Sequence, residues 1–206
     1  MPEYSRLNHS RGSLFVLSTK HTGTLAAVAV GLAAAARPFG AKLSDGGLLL
    51  SLGALQCGWI GATMAISFLE APVKFLAPSP ARRNLIDVGR HVFSAINKAE
   101  VFFSAFEILG WTLVAQRGLV GGPTAKGFRG LLGWTQFLRL TPALVVLLFE
   151  SFTFLPVMRD IATRYVEGRP VDSAKIHGIY VVMEGIKVAT LFASTTSIGK
   201  ALLQML

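Results

Sequence analysis

Residues 46–69 form a run of 24 residues without a single charged side chain. About 20 apolar residues suffice for a helix to cross the hydrocarbon core of a bilayer. Lipid offers the backbone no hydrogen bonds, so a run of this kind satisfies its peptide groups internally, as helix. Three further stretches read the same way, at about residues 99–116, 138–157 and 177–199. The predicted fold is all-α, an integral membrane four-helix bundle over residues 46–206.

Composition supports lipid as the solvent. Charged residues are 15% of the chain, against about 25% in soluble domains. The net charge of +9 raises the question of nucleic acid, but the cations are scattered between apolar runs and form no stripe. No nucleic-acid partner is expected; the expected surroundings are a lipid bilayer and other membrane subunits or a second copy. The single cysteine, Cys57, lies inside the first run and reads as a small packing residue.

Residues 1–45 differ from the rest. Within residues 1–44, Arg6, Arg11, Lys20, Arg37 and Lys42 face only one acid, Glu3, among frequent serine and threonine. That composition fits either an organellar, mitochondrial-type transit peptide or an ordinary basic extension. The apolar run at 24–36 is short for a span and suits a signal core or a surface helix. Between the spans, Ala77-Pro78-Ser79-Pro80, Val120-Gly121-Gly122-Pro123 and Glu167-Gly168-Arg169-Pro170 are helix breakers. Pro142 is expected in the first turns of the third span, and the polar stretch 84–98 as an extension of the second.

The spans carry ionisable groups at helical spacing. Asn97, Glu100, Ser104, Glu107 and Trp111 share one face of the second span. Gln136, Arg139, Glu150 and Thr153 share one in the third; His177, Tyr180, Glu184 and Lys187 align in the fourth. Gln56, Thr63, Ser67 and Glu70 align more weakly in the first. Gly53, Cys57, Gly61 and Ala65 recur every fourth residue there, a stripe that lets another helix approach closely.

Glu107, Glu150 and Glu184 are thus expected at mid-depth with Arg139 and Lys187 as the only buried cations. One carboxyl group is left over and must carry a proton or bind a cation. Two readings follow: a path for protons, ions or small solutes, or a salt-bridge network that sets helix register.

No cofactor or metal site is expected. His91 and His177 lie near span ends without a partner at ligand spacing, so they read as hydrogen-bonded structural residues. The nucleophile elbow, P-loop and dinucleotide fingerprint are missing.

Three short motifs carry a resemblance. They are Trp59-Ile60-Gly61, Glu70-Ala71-Pro72-Val73-Lys74-Phe75 and Gly89-Arg90-His91-Val92-Phe93, with His177-Gly178 opening the fourth span. Together they resemble the small four-span proteins grouped with transmembrane protein 205 and its bacterial relatives. The resemblance implies a four-helix membrane fold and defines no activity. The function expected from the sequence is an accessory subunit of a larger membrane complex. The alternatives are a small transporter using buried carboxylates, or a membrane enzyme with Glu and His as acid–base groups.

Overall fold

A computed structural model describes residues 18–78, 81–119, 129–171 and 174–205. Residues 1–17 of the basic N-terminal stretch and the turn at residues 120–123 lie outside them, as does the side chain of Gln136. The described residues form five long helical rods. Helix α1 spans Thr19–Lys42, α3 spans Arg82–Arg117 and α5 spans Ala174–Leu203. Helix α2 runs Asp45–Thr63, widens into a π-turn at Met64–Glu70, and ends through Ala71–Val73 and a tight turn at Lys74–Leu76. Helix α4 runs Arg129–Phe149, widens at Glu150–Phe154 and finishes as Leu155–Val166.

Both wide turns have the same cause. Proline has no N–H, and its ring clashes with the carbonyl four residues back. The residue before each proline reaches one position further: Ala71 N–H bonds to Ile66 O ahead of Pro72, and Leu155 N–H bonds to Glu150 O ahead of Pro156. The helix therefore widens in the turn before each proline and continues. Pro142 sits in the body of α4, not in its first turns, because the helix starts at Arg129.

Helices α2, α3, α4 and α5 close a ring, each packed against the next, and α1 lies outside it against α3. The ring core is Leu48, Leu52, Trp59, Trp111, Leu140, Leu147, Leu191 and Ile198. The α1–α3 seam centres on small residues, Ala29 and Ala33 against Ala105, flanked by Phe102, Phe106 and Leu109. Four segments are long and apolar enough to cross a membrane: Lys20–Lys42, Asp45–Leu76, Leu138–Val166 and Lys175–Leu203. The protein is an integral membrane protein. Helix α3 is not among the four, since it carries many charged residues along its length; covered by α1, α2 and α4, it needs little apolar surface of its own. The apolar run at 24–36 belongs to a 24-residue helix, longer than the run itself because Arg37 and Lys42 sit in its last two turns.

The helix ends are chemically closed. Ser44 Oγ accepts the Gly47 N–H at 3.1 Å to start α2. Gly118, at φ 63°, ends α3 in the left-handed conformation. Arg117 donates to the carbonyls of Gly40, Ala41 and Leu43 at 3.2, 2.7 and 2.8 Å, and to Asp45 Oδ1 at 2.9 Å. One guanidinium thus ties the end of α3 to the α1–α2 junction.

Candidate functional site

The polar faces of the four ring helices meet in the middle of the bundle. Lys187 of α5 donates to Glu150 Oε2 of α4 at 2.7 Å, Glu100 Oε2 of α3 at 2.8 Å and Glu184 Oε1 of α5 at 3.0 Å. All four side chains are at most 2% exposed. Helix α2 supplies neutral donors to the other Glu100 oxygen: Thr63 Oγ1 at 2.8 Å and Trp59 Nε1 at 3.1 Å. Glu150 Oε1 and Glu184 Oε2 are buried without a hydrogen-bond partner.

Glu150 is the first residue of the wide turn before Pro156. The turn changes the angular register of α4 at the depth of Lys187. Its buried face runs Leu140, Ala143, Leu147, then Glu150 and Ser151 together. Thr153, expected on the Glu150 face, is exposed.

The three carboxyl groups offer oxygens within 4.8 Å of one another, a spacing compatible with a metal ion. Lys187 Nζ already occupies the point they share, bonded to all three. The cation of this site is the protein's own ammonium. One positive charge serves three carboxyl groups, so neutrality inside a low-dielectric bundle calls for two more positive charges, most simply protons on the carboxyl groups.

A second cluster lies about 10 Å along α3, two turns from Glu100. Glu107 Oε2 accepts from Gln56 Nε2 at 3.0 Å. The same Gln56 nitrogen donates to Ser194 Oγ at 2.8 Å, and Thr195 Oγ1 donates to Gln56 Oε1 at 2.9 Å. Gln56 and Glu107 are both fully buried. Glu107 Oε1 and Trp111 Nε1, one turn apart, have no hydrogen bond. On the other side of the Lys187 cluster, Tyr180 OH meets Ser67 Oγ at 3.3 Å, between the rings of Phe93 and Phe154. Asn97 Oδ1 accepts from Ser151 Oγ at 3.0 Å.

Several sequence expectations land elsewhere. Glu107 does not join Glu150 and Glu184; Glu100 does. Helix α5 meets α3 at the Glu100 level through Lys187, whereas at the Glu107 level it presents only Ser194 and Thr195 through Gln56. Arg139 is no buried counter-ion: it sits at the exposed edge of α4 and donates to Ser197 Oγ at 2.8 Å. Cys57, Gly61 and Ala65 point outward, opposite the buried Gln56, Trp59 and Thr63, while Gly53 is half-buried against Ile198. His91 Nδ1 donates to Asp87 O at 2.8 Å, a local helix bond. Pro72, Phe75, Gly89, Phe93 and the exposed His177 line a cavity of about 460 Å³ at one end of the bundle.

Trp59, Thr63 and Gln56 emerge as working parts of the two clusters. Gln56 and Thr63 were present in the sequence as part of the weak polar stripe of the first span, whereas Trp59 stood only in the Trp59-Ile60-Gly61 motif. Comparison with family models, with curated protein sequences and with solved structures gives no match.

Proposed function

We propose that this chain is a small ion- or solute-handling membrane protein in which Glu100, Glu150, Glu184 and Lys187 form a proton-binding centre. The observation that carries the reading is one ammonium shared by three buried carboxyl groups, two of which keep an unpartnered oxygen. An uncompensated charge buried in a bundle is costly, so three carboxyl groups on one ammonium call for further positive charge. Here protons complete the balance, and protons exchange. Ser67–Tyr180 on one side and Gln56–Glu107–Ser194 on the other place further hydrogen-bonding groups along the bundle axis.

Infrared difference spectra of the purified protein between acid and alkaline buffer test this reading. Carboxyl C=O bands should appear and vanish with bulk pH, and should be lost in Glu150→Gln or Glu184→Gln. Bands blind to bulk pH in the folded wild type would mean a sealed structural network and end the proposal.

A second reading, an accessory subunit of a larger membrane complex, draws on the outward stripe. Cβ atoms added at Gly61 would meet nothing within 4 Å, which leaves that face open to a neighbouring helix. Migration of gently solubilised protein on a native gel separates the readings: a large complex favours the subunit, a small species the first proposal. The basic N-terminus supports an organellar membrane as the address. Packing of α1 on α3 argues for keeping α1 in the working protein.

A further inference from the structure

The antiparallel ring brings the end of α2, the start of α3, the end of α4 and the start of α5 to the same end of the bundle. There the cavity of about 460 Å³ opens between them. Among the described residues its lining holds Lys74, Arg82, Arg90 and Arg159 and no Asp or Glu. Its volume lies within the range of small-molecule pockets, roughly 300–1,000 Å³.

Two of the four cations are built into the wall. The Lys74 ammonium lies 5.0 Å from the Phe93 ring centre and 5.6 Å from that of Phe75, and bonds Glu70 at 3.2 Å. Gly89 makes room for it, since a Cβ there would stand 2.9 Å from Lys74 Nζ. Arg90 is fixed by Asp87 at 2.6 Å and by Thr163 at 2.9 Å. Among the described residues the other two have no carboxylate partner. Arg82 stacks over Phe75 at 5.7 Å. Arg159 donates only to its own helix, to Leu155 O at 3.3 Å. Tyr165 and His177 add two polar side chains, and the rest of the wall is apolar, with Leu155, Met158 and Ile161 on α4 and Ile86 and Phe93 on α3.

Two guanidinium groups without counter-ions favour a doubly charged, multi-oxygen anion, and guanidinium geometry matches phosphate in particular. A cavity for free phosphate would not need an apolar wall. At a bundle end, where a basic surface meets the membrane boundary, the molecule that combines both features is a lipid. We propose that this cavity binds an anionic phospholipid, its phosphate held by Arg82 and Arg159 and its acyl chain along α4. The site is separate from the Lys187 cluster and does not rest on the proton-binding reading.

The test uses the full chain purified in neutral detergent, with phosphatidic acid as probe and phosphatidylcholine and inorganic phosphate as comparators. Retention is read by native mass spectrometry and by the shift in melting temperature. Phosphatidic acid should be retained and should raise the melting temperature. Phosphatidylcholine and inorganic phosphate should do neither. Arg82→Gln and Arg159→Gln should each weaken retention by about tenfold, with partial recovery in Arg159→Lys. Arg164→Gln, whose arginine is paired with Asp160 outside the cavity, should bind as wild type. Glu184→Gln should also bind as wild type, which keeps this result apart from the proton-binding test. Equal retention of phosphatidylcholine, competition by inorganic phosphate, or unchanged binding in folded Arg82→Gln and Arg159→Gln proteins would overturn the proposal.

Discussion

Lys187 Nζ stands 2.7 Å from Glu150 Oε2, joining two helices at a point where neither side chain touches solvent. The lysine offers three N–H donors and each is used on a carboxylate. Lys187→Met removes all three bonds and leaves three buried acids without a cation. Losing one partner of a buried ionic group costs about 3–5 kcal/mol. The variant should unfold at markedly lower temperature in detergent, or fail to accumulate. Glu150→Gln, which keeps a hydrogen-bonding oxygen and lowers the charge imbalance, should cost far less. Equal losses in the two variants would refute the charge-balance argument.

Pro156 sets the wide turn that carries Glu150. Pro156→Ala restores a backbone donor and removes the clash with the carbonyl of Phe152, letting α4 return to regular α-helical spacing. Glu150 should rotate away from Lys187 while the bundle remains folded. The pH-dependent carboxyl bands should change in this variant although no ionisable residue has been altered. Identical spectra and intact stability would show that the turn has another cause.

Gln56 links α2, α3 and α5 through one amide. Gln56→Leu leaves Glu107 with no hydrogen bond on either oxygen, at a cost of about 1–3 kcal/mol. Cys57→Ala, one residue away on the outward face, should stay within about 0.5 kcal/mol of wild type. Chemical unfolding of the two variants side by side checks the contrast.

Glycine tolerance separates inner from outer faces. A Cβ at Gly110 would stand 2.7 Å from Leu52 Cδ1, so α2 and α3 approach closely there and Leu52 must move to admit an alanine. Gly110→Ala should destabilise by about 1–3 kcal/mol. At Gly61 nothing lies within 4 Å, and Gly61→Ala should be neutral or stabilising by up to about 1 kcal/mol. Thermal stability of the isolated protein reads both. If Gly61→Ala instead disrupts a complex seen on native gels, the outward stripe is an interface and the subunit reading gains.

Much of the architecture was legible because its cause is local. Charge-free length makes helices in lipid, and spacing of three or four residues puts Glu184 and Lys187 on one face whatever surrounds them. The breakers at 77–80 and 167–170 stop their helices through proline and glycine chemistry, with Gly168 at φ 76°. The weak stripe of Gln56, Thr63 and Ser67 already marked the inner face of α2. What spacing along one helix cannot contain is the offset between helices. Glu100 and Glu107 are two turns apart on one face, so either could have met Glu150. Only the way α3 and α5 slide past each other brings Glu100 to Lys187 and Glu107 to Gln56. The four-cation cavity depends in the same way on two helix hairpins ending at the same level. Chain chemistry thus marked the inward faces of α2, α3 and α5, though not Arg139 or Thr153 on α4, and tertiary packing decided which side chains meet, because facing is a property of one helix and meeting is a property of two.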